Sequence, residues 1–199
     1  SLAASIVPAI SEAYTLTNYE SVNKKIATAL RLCALITIPA SLGLLVLATP
    51  ISQMLYATPA AGTSIAVLAP AIFFLGLHQV TTGILQGLGK TIVPVINMII
   101  SAGVKVLLAW ILTANPSYGI IGAAFATDID FLLAVVLNVL FLKKQIRVNF
   151  PIKDILRITL SAIIMGYVVH WSHGKLIEAL MSNSLATLSS IILGGMVYC

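Results

Sequence analysis

The sequence predicts an all-α, polytopic transmembrane helix bundle, and three observations lead to that prediction. The chain is 59% hydrophobic and only 9% charged, whereas soluble domains carry about 25% charged residues. Its apolar segments run for about 17 to 25 residues, the length that crosses a hydrocarbon core roughly 30 Å thick. Nine of its eleven Lys and Arg residues stand in alternate gaps between those segments, and this positive-inside pattern orients every segment at once.

Seven apolar segments follow one another along the chain. The first, Ser1–Ile10, and the last, Ser184–Cys199, are short, so we expect the sequence to be a piece of a longer protein. The five between them are predicted at Leu32–Ala48 (with an extension back to about Ile26), Ser64–Gly87, Thr91–Thr113, Tyr118–Leu142 and Ile155–Trp171. No strand-like alternation of apolar and polar residues interrupts them, which favours helices throughout.

The gaps between segments predict one basic face and one nearly uncharged face. The basic gaps, which we expect to be cytoplasmic together with the C-terminal end, are Ser11–Arg31, Leu88–Lys90 and Lys143–Arg157. On the opposite, outer side, Ile51–Tyr56 and Gly174–Met181 are predicted as short amphipathic stretches at the membrane interface. The stretch Gln86–Lys90 lacks the strand and the length of a phosphate-binding loop, and its glycines predict a sharp turn.

Two prolines fall inside predicted spans. Pro39 and Pro70 each lack the N–H that a helix interior needs, so each is expected to kink its helix and to free a carbonyl. Within lipid, a neighbouring helix must supply the partner of such a carbonyl. The kinks are interpreted either as packing irregularities or as hinges of a protein that bends.

Polar side chains form a stripe on each of two predicted helices. His78, Thr82 and Gln86 repeat every four residues on one helix. Asn97, Ser101 and Lys105 repeat at the same spacing on the next helix. A step of four residues drifts by only about 40° on a helix of 3.6 residues per turn, so each trio stays on one face. The two stripes predict an interior that the two helices share and that is wet or hydrogen-bonded.

Three ionisable side chains lie deep in adjacent predicted helices. Lys105 is placed at a depth from which it reaches Asp128, or Asp130 half a turn further on. A charge at the bilayer centre costs at least about 2.5–3.5 kcal/mol, so such residues indicate a functional site by default. Two interpretations stay open: an ion pair that sets the register of the hairpin, or coupling to a proton or a sodium ion. His78 is either a cavity residue or a neutral histidine hydrogen-bonded in the bundle.

The same residues argue against several other classes of protein. The sequence has no spacing typical of a metal site and no nucleophile with a matched base. The net charge of +5 reflects membrane topology, because no aromatic residues alternate with the basic ones, and no nucleic-acid partner is expected. Cys33 and Cys199 form no disulfide framework. No cofactor is predicted beyond a possible coupling ion.

Three stretches in this order resemble one family. They are Pro8-Ala-Ile-Ser-Glu12 with the sequence up to Tyr56, Ile84-Leu-Gln-Gly-Leu-Gly-Lys90 with its sequel, and Tyr118-Gly-Ile-Ile-Gly-Ala-Ala-Phe-Ala-Thr127 continuing to Leu142. The chain resembles the C-terminal half of the polysaccharide-biosynthesis and stage V sporulation protein B group. That group belongs to the multidrug/oligosaccharidyl-lipid/polysaccharide flippase superfamily, which also includes peptidoglycan lipid flippases and MATE exporters.

The resemblance implies a lobe of a larger transporter. Such proteins have about fourteen helices in two lobes, so residues 1–142 would be C-terminal lobe helices and 143–199 the final helix pair. The resemblance implies alternating access for a lipid-linked saccharide, a precursor of cell wall or polysaccharide. The expected partners are the bilayer, that substrate and the missing N-terminal half, in a multi-pass protein of the cell membrane. The two acids at Asp128 and Asp130 replace residues that are usually neutral in the group.

Three alternative functions remain open at this stage. A cation-coupled MATE-type exporter of amphipathic small molecules is favoured by the two acids. A membrane enzyme, such as a saccharide-lipid ligase, needs large polar outer loops, and the outer gaps here are short and nearly uncharged. We therefore expect no enzymatic activity. A passive structural role is the third alternative.

Overall fold

The computed structural model describes residues 2–146 and 150–198. Ser1, residues 147–149 and Cys199 lie outside the described residues, and Arg147 of the third basic gap lies there with them. In the described part every regular element is helical, which confirms the predicted fold class. The helices are α1 (Leu2–Thr15), α2 (Tyr19–Val46), α3 (Ala48–Tyr56), α4 (Gly62–Gly87), α5 (Ile92–Ala114), α6 (Ile120–Gln145), α7 (Ile152–Leu180) and α8 (Asn183–Tyr198).

Length and composition set some of these helices apart. Among the described helices, α2, α4, α5 and α6 are long and apolar enough to cross a membrane, and α8 is a shorter apolar helix. Membrane crossing by α1, α7 and α8 stays a prediction, as does the division of the chain after residue 142.

Six of the described helices pack in the order α5, α6, α4, α2, α7, α8. α1 lies against α4 and α2, and the short α3 contacts α4 and α8. The helices α4 and α5, which follow one another in the chain, make little contact because α6 lies between them. This order decides what the two polar stripes contact.

One end of the bundle collects the helix ends that adjoin the basic gaps. Ile10 of α1, Ile26 of α2, Ile84 of α4 and Leu142 of α6 are fully buried in one apolar cluster at this end. Arg31 of α2 pairs with Asp154 in the first turn of α7, so the start of α7 lies there too. We call this the basic end of the bundle.

The first basic gap is more helical than predicted. α1 continues to Thr15, and α2 begins at Tyr19 rather than near Ile26. The side chain of Asn18 accepts a hydrogen bond from the Ser21 N–H at 3.0 Å and thereby caps α2. Hydropathy locates where a helix leaves the lipid, whereas a capping residue determines where the helix begins, and the two positions differ here.

The two amphipathic stretches predicted on the outer side differ in structure. The stretch Ile51–Tyr56 lies in the short helix α3. The stretch Gly174–Met181 forms no element of its own, because α7 continues without a break to Leu180 and its cap is Met181. The stretch carries Lys175 and Glu178, which lower its hydropathy, but it lacks a residue that breaks a helix.

Two details of the backbone agree with the sequence analysis. The turn after α4 places Gly89 at φ +76°, and the Lys90 N–H donates to the Leu85 carbonyl at 2.9 Å, so glycine makes the sharp turn. Pro39 frees the carbonyl four residues before it, and the Tyr198 hydroxyl of α8 donates to that Leu35 carbonyl at 2.9 Å. A neighbouring helix thus supplies the hydrogen bond that Pro39 cannot make.

Candidate functional site

Polar side chains from three helices meet along α6. The stripe on α4 and the stripe on α5 face this helix from opposite sides, since α6 separates α4 from α5. The interior that the two stripes share therefore does not lie directly between α4 and α5. The interior that they share is filled by a third helix, which brings polar groups of its own.

The most buried part of the site is an amide network centred on Asn138 of α6. The Asn138 side chain is fully buried, and its amide donates to the hydroxyls of Thr81 at 3.2 Å and Thr82 at 3.3 Å. Its carbonyl oxygen accepts a hydrogen bond of 2.8 Å from the Asn97 amide on α5. One side chain thus connects three helices through both of its N–H donors and its carbonyl oxygen.

A charged level lies closer to the opposite end of the bundle. Lys105 Nζ on α5 is 3.4 Å from Asp130 Oδ2 on α6, with side chains 37% and 13% exposed. The same ammonium lies 5.8 Å from the centre of the Phe131 ring. On the α4 side, the His78 ring lies 6.5 Å from Phe131. The pair and the histidine therefore flank one aromatic side chain, and Lys105 selects Asp130 rather than Asp128.

Two buried polar atoms at this level have no hydrogen-bond partner among the described residues. They are Nδ1 of His78 and Oδ1 of Asp128. Residues two positions apart point to nearly opposite sides of a helix, so Asp128 faces away from Lys105, and it lies near the backbone of Ala71 on α4. An unmet buried hydrogen bond costs about 1–3 kcal/mol, so both atoms raise the free energy of this conformation.

The other predicted site residues divide by exposure. Asn97 and Ser101 are 9% and 1% exposed, so in this conformation they lie at the interface between helices. Thr82 is half-buried, and Gln86 is exposed on α4. In the described part of the chain, no group of three His, Cys, Asp or Glu side chains is arranged to hold a metal ion.

Two members of the network, Thr81 and Asn138, were absent from the sequence prediction. Asn138 carried a usable signal, because an amide inside an apolar span has to find partners. Thr81 carried none: a threonine hydroxyl satisfies itself on the preceding turn, as this one does by donating to the Leu77 carbonyl at 2.8 Å.

The sequence profile of the family described as lipid II flippase MurJ matches residues 1–193. The chain is 29% identical to stage V sporulation protein B of Bacillus subtilis (strain 168), over 84% of this chain and 32% of that protein. It is 26% identical to lipid II flippase MurJ of the same organism, over 97% of this chain and 38% of that protein. The chain thus spans about a third to two-fifths of the length of these curated relatives.

A solved structure agrees with the same assignment. The structure of lipid II flippase MurJ in an inward closed conformation aligns with 100% of this chain and 41% of its own, with a TM-score of 0.75 and 26% sequence identity. The resemblance predicted from the three sequence stretches is therefore confirmed. On the extent of the profile match and of the structural alignment, the chain belongs to the MurJ lipid II flippase family of multi-pass membrane proteins.

Proposed function

We propose that the protein containing this chain is a flippase that translocates a lipid-linked saccharide, a precursor of cell wall or polysaccharide, by alternating access. The observation that carries the proposal is the alignment of the whole chain with a solved MurJ structure. The saccharide class rests on the names of the relatives. We propose transport rather than enzymatic chemistry because the relatives are described as flippases.

The hydrogen bonds within the chain support movement of the lobe as one body. Asn138 joins α4, α6 and α5, so separating these helices would leave amides and hydroxyls unpaired. Alternating access in two-lobed transporters is largely rocking of one rigid unit against another. We infer that α4, α5 and α6 stay together while the cavity opens to each side in turn.

The partly accessible residues are the ones proposed to meet the substrate. His78, Thr82, Gln86 and Lys105 have accessible surface, and their side chains hydrogen-bond to saccharide or phosphate groups in our proposal. Asn97 and Ser101 are assigned to holding the helix interface. Lys105 offers a positive charge to phosphate. In the absence of substrate, Asp130 partly neutralises that charge.

A coupling ion, H⁺ or Na⁺, is proposed to act at Asp128 rather than at Asp130. The carboxylate of Asp130 is already paired with Lys105, whereas Oδ1 of Asp128 has no partner among the described residues. The MATE-type exporter alternative is not favoured, because the family that matches the chain is that of a lipid flippase. We further propose that the basic end of the bundle is cytoplasmic, in accord with the positive-inside rule.

Transport in proteoliposomes tests the proposal. The intact protein is reconstituted with a fluorescent lipid-linked saccharide, and the fraction of lipid that a membrane-impermeant quencher reaches is followed with time. We expect the protein to accelerate equilibration between leaflets. Lys105→Gln is expected to slow it at least tenfold, whereas Lys175→Gln, a matched change on α7, leaves the rate unchanged. Equal rates with and without the protein would refute the flippase assignment.

A further inference from the structure

Two basic side chains from different helices lie near the carboxylate of Asp130. Lys105 Nζ on α5 is 3.4 Å from Asp130 Oδ2. On the α4 side, the imidazole of His78 is close enough for the charge of Asp130 to act on it. The Phe131 ring lies beside both of them, 5.8 Å from the ammonium and 6.5 Å from the imidazole. Asp130 therefore has one cation in contact and a second basic group nearby.

The pair of Lys105 and Asp130 is loose, and its two members differ in exposure. Its separation of 3.4 Å exceeds the length of about 2.7–2.9 Å typical of a charge-assisted hydrogen bond. The lysine side chain is 37% exposed, whereas that of the aspartate is 13% exposed. A lysine ammonium sits on a flexible stem of four carbons. Lys105 is thus free to turn toward a ligand, while Asp130 stays mostly buried.

The imidazole of His78 has a vacant hydrogen-bonding position. Its Nδ1 is buried and has no hydrogen-bond partner among the described residues. A neutral imidazole carries a proton on one ring nitrogen and a lone pair on the other. While Lys105 neutralises Asp130, a second positive charge at His78 gains little from the carboxylate and still loses hydration. The ion pair therefore favours a neutral His78.

The helices that pack against α4 bring other titratable groups near it at only a few places in the described part of the chain. Asp128 of α6 lies near the backbone of Ala71, about 10 Å from His78 along α4 at 1.5 Å per residue. Cys33 of α2 faces Gly76. The remaining titratable residues of these helices lie at the basic end or, as Tyr56 of α3, at the opposite end. Asp130 and Lys105 are therefore the charged groups that govern the state of His78.

We propose that a phosphate group of the substrate draws Lys105 away from Asp130, and that His78 then takes a proton from water and replaces Lys105 as the cation beside Asp130. This exchange rests on the proposed function, in which Lys105 binds phosphate. Its physical reason is that a mostly buried carboxylate is strongly unfavourable when it loses its partner. When the phosphate leaves, Lys105 returns to Asp130 and the proton returns to water. Because the proton enters and leaves with the substrate, each translocation carries one proton.

Proton uptake during binding to the intact protein tests the proposal. The purified protein is titrated with farnesyl diphosphate by isothermal calorimetry in two buffers that differ in heat of ionisation, which gives the number of protons bound with the ligand. The diphosphate exchanges protons of its own, so the number is compared between the wild type and His78→Asn. We expect the wild type to bind about one proton more, and its Kd to rise by up to about tenfold per pH unit relative to the variant, as linkage requires.

A second variant and a control make the test independent of how well His78→Asn binds. Asp130→Asn removes the carboxylate for which the two basic groups compete. Its Lys105 is unpaired from the start, so it is expected to bind the diphosphate at least as tightly as the wild type and without the additional proton. His170→Asn on α7 removes a histidine far from Asp130 and is expected to keep the proton number of the wild type.

The possible outcomes separate the exchange from the proposed function. Equal proton numbers in the wild type, His78→Asn and Asp130→Asn overturn the exchange and leave phosphate binding by Lys105 intact. Loss of the additional proton in Asp128→Asn but not in His78→Asn assigns it to Asp128 and also overturns the exchange. Wild-type protein that binds the diphosphate no better than Lys105→Gln overturns both the exchange and the proposed role of Lys105. The flippase assignment itself is tested by the transport rate.

Discussion

At the scale of single residues, Asn138 holds together the hydrogen-bond network between helices α4, α5 and α6. Its side chain is buried and makes three hydrogen bonds, so each partner depends on it for an interaction that lipid or apolar neighbours cannot replace. Thr81 keeps its own bond to the Leu77 carbonyl, whereas the Asn97 amide would lose the acceptor that Asn138 provides. Loss of Asn138 is therefore expected to cost stability mainly through the unpaired Asn97 amide.

Asn138→Leu is expected to destabilise the bundle by about 1–2 kcal/mol, because it leaves the Asn97 amide buried without this acceptor. The measurement is unfolding of the intact protein in graded denaturing detergent. Thr82→Val serves as the control and is expected to cost less, since Thr81 still accepts from Asn138. Adding Asn97→Leu to Asn138→Leu is expected to recover part of the loss; a simple sum of the two losses would contradict this account.

Lys105→Met is expected to destabilise the protein by about 2–3 kcal/mol, because the mostly buried carboxylate of Asp130 is left unpaired. Thermal unfolding measures the effect. Asp130→Asn in the same background removes the orphaned charge and is expected to restore most of the stability. Transport that stays absent in the restored double variant would indicate a role for the pair beyond structure; recovered transport would indicate a structural pair only.

His173, at the end of α7 remote from the basic end, provides a test that depends on pH. Burial and the neighbouring His170 lower the pKa of its imidazole below the ordinary value, and its Nε2 lies 3.4 Å from the Thr187 hydroxyl of α8. The folded state thus favours the neutral ring. Its contribution to stability is complete above the unfolded pKa of about 6.5 and is lost as the pH falls through the lowered value.

Titration of the His173 ring by NMR is expected to show a pKa below about 6.5. His170→Asn removes one of the two causes, so the pKa of His173 is expected to rise toward the ordinary value. Thr187→Val is the control that leaves His170 in place. A pKa that does not move in His170→Asn would show that burial alone lowers it.

At the scale of elements, glycine permits a close approach in the α5–α6 hairpin. A Cβ at Gly122 would lie 2.7 Å from Leu112 Cβ and 2.8 Å from the Leu112 carbonyl carbon. Backbone atoms cannot yield to a methyl group as the end of a side chain does. The same two helices carry the Lys105–Asp130 pair and the Asn97–Asn138 hydrogen bond, so we expect both to depend on this close packing.

Gly122→Ala is expected to spread the hairpin and to lower stability by about 1–3 kcal/mol, the usual range for overpacking. Gly103→Ala in α5 is the matched control, since a Cβ there has no neighbour within 4 Å, and it is expected to be neutral or slightly stabilising. Detergent-induced unfolding compares the two. Equal effects would show that helix propensity, rather than contact with Leu112, controls this position.

At the scale of the whole molecule, the order of helices separates surfaces that meet water from interfaces that stay closed. Gln86 is exposed and His78 partly so, whereas Ser101 is 1% exposed between helices. If the lobe moves as one body, these differences persist through the transport cycle. The water accessibility of these positions therefore tests whether α4, α5 and α6 move as one rigid unit.

Single cysteines at positions 78, 86 and 101, in an intact protein without other cysteines, are expected to react unequally with a membrane-impermeant thiol reagent. Position 86 is expected to react fastest, position 78 more slowly and position 101 hardly at all, with or without substrate. Rapid labelling at position 101 during transport would mean that α5 separates from α6, against the proposed rigid unit.

The sequence by itself determined the fold class, the positions of the four long apolar helices and the membership of a flippase superfamily. It did so because hydropathy, loop charge and short motifs are local properties that need no knowledge of neighbours. It also singled out His78, Lys105 and Asp130, since a polar residue in an apolar span is visible without a structure.

Only the tertiary structure decided that α6 lies between α4 and α5, that Lys105 chooses Asp130, and that Asn138 and Thr81 complete the network. Periodicity tells which residues share a face of a helix but not which helix that face meets. Both the helix order and the choice of partner depend on close approaches such as Gly122 against Leu112. Those are contacts between distant residues, and three-dimensional packing alone determines them.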